Sequence, residues 1–177
     1  MSKRRYIALA AMLVIVIAAT AASAEGLAVR LVKGDAAPLT VELEKLEKVE
    51  GVAYYRNSKG VVSGPFKIKG VKLADLLKLA GGMTAEEKLI FTASDGYVTE
   101  LSFAQANGEL AASRPDGAAF EGKPALVPVI ITWSEPDMAK DLPRLAFIAD
   151  VEGGLMTESK YWARNLVEIR IAPADRK

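Results

Sequence analysis

Any chemistry in this chain is done without cysteine or histidine, since neither occurs among its 177 residues. That removes thiolate metal ligands, cysteine nucleophiles, most zinc and haem sites and any Ser-His-Asp triad. Glu135 and Asp137 are the one pair of carboxylates placed for acid–base work, and nothing in the sequence around them activates either. Glu42, Glu44 and Glu47, and the run Glu86-Glu87-Lys88, read as solvated faces. The remaining groups able to recognise a ligand are arginines and aromatics near predicted strand ends. They fall in Tyr-Tyr-Arg-Asn (54–57), Asp-Gly-Tyr (95–97), Trp133, Pro-Arg-Leu (143–145) and Lys-Tyr-Trp (160–162).

The elements that must position these groups are short and mostly extended. Residues 27–33 read as a first strand, with a turn at Gly34-Asp35. Thr40 is placed to cap a short helix in which Val41, Leu43, Leu46 and Val49 recur at mixed helical spacing, ended by Gly51. Residues 52–56 form a strand, and the Asn57–Gly60 turn returns the chain as a hairpin over 61–69. Val71, Leu73, Leu76, Leu77 and Ala80 line one face of a helix over about 72–80, stopped by Gly81-Gly82. Residues 88–94 and 97–102 pair around Asp95-Gly96. Segment 104–124 is polar and glycine-rich and reads as a long loop. Strands follow at 125–133, 144–149 and 166–171, separated by connections at 134–142 and 150–161. Strands and short helices that do not alternate regularly argue an α+β fold: a mixed, mostly-β core with two or three short helices.

The order Gly-Val-x-Leu-x-x-Leu-Leu (70–77), Ala-x-Asp-Gly-Tyr (93–97), Pro-Arg-Leu (143–145) and a terminal Ile-x-Ile strand (169–171) resembles the molybdopterin-binding domain of the sulfite oxidase family. The resemblance spans about residues 27–172 and implies that family's mixed α/β domain with a long, curved sheet system. In the family a cysteine at the end of an early strand ligates molybdenum. The corresponding stretch here is residues 52–60, where the matching position is Tyr or Arg and supplies no soft thiolate. The resemblance therefore implies a cysteine-free member, without metal and without the family's catalysis.

A pterin pocket can outlast the metal, because a flat, polar-edged ring needs only an aromatic or guanidinium face and edge donors and acceptors. Tyr55, Arg56, Asn57, Asp95, Tyr97, Trp133, Arg144, Lys160 and Trp162 are the residues the resemblance offers for it. Arg144 matches the family arginine near the cofactor's pterin-phosphate end. Lys160 and Trp162 match its Lys-Trp segment, with Tyr161 inserted here. Each has a plainer use as well. Arg56 suits a solvated turn, Asp95 an Asp-Gly turn, Tyr97 and Trp133 a core, and Arg144 an ion pair with a carboxylate such as Asp137. The implied function is a binding domain for a small pterin, reduced or molybdopterin-like, that reports to a membrane-bound signalling partner. The alternative is a molybdopterin-binding subunit of a periplasmic oxidoreductase.

The first 24 residues read as a secretory signal rather than fold. Lys3, Arg4 and Arg5 precede an apolar run over 6–20, and Ala22-Ser23-Ala24 is a small-residue cleavage site. The run is short for a membrane span, which takes about 20 residues. Arg4-Arg5 lacks the spacer and Phe-Leu of a twin-arginine signal, so the chain is threaded unfolded and takes up any ligand after export. The expected product is a single periplasmic domain over 25–177. It holds 153 residues with 20 basic against 22 acidic side chains. Such a balance leaves no basic footprint for nucleic acid. Intact-mass analysis of the exported protein is expected to show an N-terminus at Glu25; a product retaining Met1 overturns this reading.

Overall fold

The computed structural model describes residues 27–175, apart from the side chains of Pro136 and Asp137; the expected signal over 1–24 lies outside this range. Among the described residues ten strands build two five-stranded sheets. The first sheet holds β1 (Ala28–Lys33), β2 (Leu39–Glu42), β5 (Glu87–Ala93), β6 (Val98–Ser102) and β10 (Leu166–Pro173), in the order β2-β1-β10-β5-β6. The second holds β3 (Val49–Arg56), β4 (Val62–Lys72), β7 (Val127–Ser134), β8 (Arg144–Ile148) and β9 (Leu155–Glu158), in the order β8-β7-β4-β3-β9. Three short helices complete the fold: α1 (Leu73–Leu79), α2 (Phe103–Ala106) and α3 (Pro136–Ala139). The core is thus mixed and mostly β, as its short, irregularly alternating elements require. Among the described residues no helix is long and apolar enough to cross a membrane.

The sheets differ in how their strands are buried, and the sequence pattern shows why. Strands β5 and β6 alternate buried with less buried positions, so one face meets the core and one meets water. Strands β7 and β8 carry near-continuous apolar runs, buried at nearly every position. The second sheet therefore has apolar clusters on both faces. One is the main core, where Leu31, Leu89, Phe91, Leu101 and Ile169 of the first sheet meet Val71, Ile130, Leu145 and Phe147 of the second, with Leu73, Leu76 and Leu77 of α1. The other gathers Ala53, Ile68, Val129, Ile131, Ala146 and Ile148 with Met138 and Trp162. The candidate site grows from this second cluster.

Four segments depart from the sequence reading, the simplest being the connection over 134–142, which contains α3. The helix expected after Thr40 is instead strand β2, paired antiparallel with β1 from Ala28↔Glu42 to Leu31↔Leu39, followed by a 3-10 turn at Leu43–Lys45. So few residues cannot nucleate a helix unaided, whereas the edge of β1 offers a ready ladder to Thr40 and Val41. The connection over 150–161 contains β9, which pairs parallel with β3 from Ala53↔Leu155 to Arg56↔Glu158. A four-residue strand whose partner is far away in sequence leaves no periodic signal. The expected loop over 104–124 begins inside α2, whose N-terminus is held by a capping box in which Ser102 and Gln105 exchange side-chain and backbone bonds. That Ser-x-x-Gln pattern was legible in the sequence.

Strand β9 is set against β3 by Gly153-Gly154, both at φ 77°. At Gly153 a Cβ would meet open space, whereas at Gly154 it would lie 2.5 Å from the Val52 carbonyl oxygen. Gly153→Ala is expected to cost about 1 kcal/mol for the left-handed backbone alone. Gly154→Ala adds the collision and is expected to cost at least about 2 kcal/mol. Urea denaturation of the two variants separates strain from close approach, and equal midpoints would refute the assigned contact.

Candidate functional site

The site begins at the junction of β3, β4 and β9. Across β3 and β4, Ala53 faces Phe66 and Tyr55 faces Ser63, so Gly64-Pro65 form a bulge opposite Tyr54. Pro65 has no N–H to give a ladder, which is why the irregularity falls there. The bulge brings the rings of Tyr55 and Phe66 into a stack, with centroids 5.6 Å apart and planes 17° apart. On the other flank of β3, Tyr55 faces Thr157 of β9. The Thr157 hydroxyl accepts a hydrogen bond of 2.8 Å from Trp162 Nε1. Trp162 follows the 3-10 turn at Ser159–Tyr161 and is almost wholly buried, its ring centroid 5.1 Å from that of Tyr55.

Arg144, the first residue of β8, lies against both of these rings. Its guanidinium lies 5.3 Å from the Tyr55 ring centre and 5.4 Å from that of Trp162. Only 7% of the residue is exposed. The Nη1 group donates to Asp141 Oδ2 at 3.4 Å, and that carboxylate also lies 3.9 Å from Nη1 of Arg164. Arg144 Nε is buried without a hydrogen-bond partner among the described residues. Burial pushes the guanidinium below the usual arginine range, opposed by Tyr55 and by the Asp141 charge. Beside it opens a cavity of about 360 Å³ lined by Tyr55, Ser63, Gly64, Pro65, Phe66, Met138, Asp141 and Arg144. That volume lies within the range of about 300–1,000 Å³ usual for small-ligand pockets.

Of the residues offered by sequence, Tyr55, Arg144 and Trp162 come together here. The others do not join them. Arg56 is exposed and lines a separate hollow of about 130 Å³ with Ser113, Met156 and Glu158. Asn57 Oδ1 accepts from the backbone N–H groups of Lys59 and Val61 and so closes its own turn. Asp95 does the same for Tyr97 N–H. The Tyr97 hydroxyl donates to the Lys160 carbonyl at 2.9 Å, tying the β5–β6 hairpin to the 3-10 turn. Lys160 Nζ pairs with Glu158 at 2.6 Å. Phe66, Met138 and Asp141 are the site residues that sequence reasoning missed. Phe66 had a faint signal, because the hairpin reading already put it on the strand opposite 52–56. Asp141 stands three residues before Arg144 and takes the ion-pair role expected of Asp137, whose side chain lies outside the described residues.

Trp133 is half exposed and lines a different and larger cleft of about 800 Å³. Size alone would favour that cleft. Its cations, however, are matched: Lys69 pairs with Glu50 at 2.6 Å, Lys48 with Glu44 at 3.1 Å and Lys67 with Glu135 at 3.7 Å. The smaller cavity is bordered instead by Arg144, whose buried Nε has no hydrogen-bond partner among the described residues, a feature that calls for an explanation. Comparison with protein-family models and with curated proteins returns no match.

The bond from Trp162 to Thr157 sets the indole that Arg144 stacks on. Thr157→Val keeps the shape but leaves the indole N–H unpaired in the interior. It is expected to lower stability by about 1–3 kcal/mol in urea denaturation, and Thr157→Ser, which keeps the acceptor, by less than Thr157→Val.

Proposed function

We propose that this chain is an exported, cysteine-free domain of the sulfite-oxidase type that binds a small pterin without metal and signals to, or supports, a membrane partner. The observation that carries the reading is Arg144. A guanidinium so deeply buried, its residue lining an aromatic-walled cavity and its Nε without a partner among the described residues, suits a ligand that brings an acceptor to the guanidinium. Tyr55 and Phe66 supply apolar ring surface, and Asp141 supplies acceptors at the same wall. Those are the needs of a flat heterocycle with a polar edge.

Molybdenum does not fit this chain in the family's manner. The end of β3, where the metal-bearing cysteine is expected, reads Tyr54-Tyr55-Arg56, and the chain contains no thiol. Of these, Tyr55 is committed to the stack with Phe66 and Arg144. No redox step is assigned to the protein. Its work is to bind and to orient. Pterin uptake adds an acceptor to Arg144 at the meeting point of β3, β8 and β9, and so couples occupancy to the packing of three strands.

Titration calorimetry with a tetrahydropterin tests the reading. Arg144→Lys and Tyr55→Ala are each expected to weaken binding by about 1–3 kcal/mol. Trp133→Ala, at the other cleft, is expected to leave it unchanged. Absence of heat at millimolar ligand, or loss of binding in Trp133→Ala alone, overturns the proposal.

A further inference from the structure

The chain has two tryptophans, and the fold treats them oppositely: Trp162 is 3% exposed and Trp133 is 53% exposed. One residue makes the difference at Trp133. Across β4 and β7, Lys69 faces Trp133 and Gly70 faces Ile131, so Thr132 is the extra residue of a bulge. Val129 and Ile131, at the preceding alternate positions of β7, are buried in the second cluster. Regular alternation would send Trp133 into that cluster after them. The bulge turns it instead to the side of Lys69, while Ser134, opposite the buried Ile68, returns inward. A single exposed aromatic is ordinary. A bulge that takes the largest side chain of a strand out of an apolar cluster re-aims that side chain, a use bulges have beside functional sites.

The cleft that Trp133 lines holds about 800 Å³ and shares no lining residue with the Arg144 cavity. Glu50 faces Lys69 across β3 and β4, so Glu50, Lys69 and Trp133 stand in a row over three strands. The Glu50–Lys69 pair is open to water on both sides, at 71% and 41% exposure, and keeps donors and acceptors to spare. Lys48 and Lys67 are likewise matched, by Glu44 and Glu135. An anion entering the cleft would compete with carboxylates already in place, and a cation with the ammonium groups. A wholly apolar ligand would cover these groups and return no hydrogen bonds to them. The complement is a neutral molecule with an apolar face for the indole and hydroxyls that both donate and accept. A pyranose with equatorial hydroxyls has that form, its C–H groups making the flat face and its hydroxyls the edge.

We infer that this cleft is a carbohydrate site, taking a neutral β-linked oligosaccharide with one sugar ring stacked on Trp133 and that ring's hydroxyls bonded to Lys69 and Glu50. The inference is independent of the pterin reading, which concerns the other cavity.

The test uses the whole protein, with cellotriose as the neutral probe and trigalacturonate as the anionic one. Trp133 carries the readout, because dissolved iodide quenches an exposed indole and spares the buried Trp162. Cellotriose at millimolar concentration is expected to shield the emission from iodide. In calorimetry Trp133→Ala is expected to weaken cellotriose binding by about tenfold or more, the loss usual for truncating a central tryptophan. Trp133→Phe, which keeps an aromatic face, is expected to weaken it less. Trigalacturonate is expected to bind more weakly than cellotriose. Absence of shielding by cellotriose overturns the inference. So does cellotriose binding that survives Trp133→Ala unchanged, or trigalacturonate bound as tightly as cellotriose.

Discussion

A guanidinium is expensive to take out of water, and Arg144 has been taken almost entirely out of it. Three things hold it there. The faces of Tyr55 and Trp162 each offer a cation–π contact, worth on the order of 2 kcal/mol where water is excluded. Asp141 supplies a single opposing charge at a distance longer than the best charge-assisted bonds. The arrangement is nearly but not wholly satisfied, because Nε remains without a partner among the described residues. Everything nearby is arranged so that these four groups meet, and the incompleteness sets the place apart from a fully satisfied ion pair.

That meeting requires the second sheet to be buried on both faces. A sheet with one wet face would put Tyr55 and Phe66 in solvent, where an arginine gains little from them. Here the strands β7 and β8 are apolar along their length, and the outer cluster around Ile131, Ala146 and Ile148 gives the aromatics a floor. Met138, on the connection before β8, and Trp162, on the connection from β9 to β10, close over it. The Leu145 N–H donates to the Ala163 carbonyl and the Leu166 N–H to the Pro143 carbonyl, so the chain after Trp162 is stitched to the start of β8. The indole and the guanidinium are thereby held by one backbone seam.

The same economy explains what the other marked residues do. Asn57 and Asp95 spend their side chains on their own turns, and Tyr97 anchors a hairpin to the Lys160 carbonyl. These are structural uses of groups whose types would suit a ligand. The Trp133 cleft is roomy, yet its charges cancel in pairs. A buried polar atom without a partner among the described residues calls for an explanation that volume and aromatic exposure do not.

The sequence by itself determined the local elements. Strand alternation over β5 and β6, the Asp95-Gly96 turn, the Asn57–Gly60 turn and the apolar face of α1 all stand where their patterns placed them, because each is an interaction among near neighbours. It also determined the absence of thiol and imidazole, and with it the chemistry excluded. Tertiary structure decided what residues distant in sequence do together. Thr40 joined a strand because β1 lay beside it, and β9 exists because β3 offered an edge. Tyr55, Arg144 and Trp162 were each visible as types, but their convergence depends on the register of β3 against β9 and on the bulge at Gly64-Pro65. Met138 and Asp141 carried no mark of function on their own, and Phe66 only its place on the strand opposite 52–56. The fold alone brought them together around the buried Arg144 guanidinium.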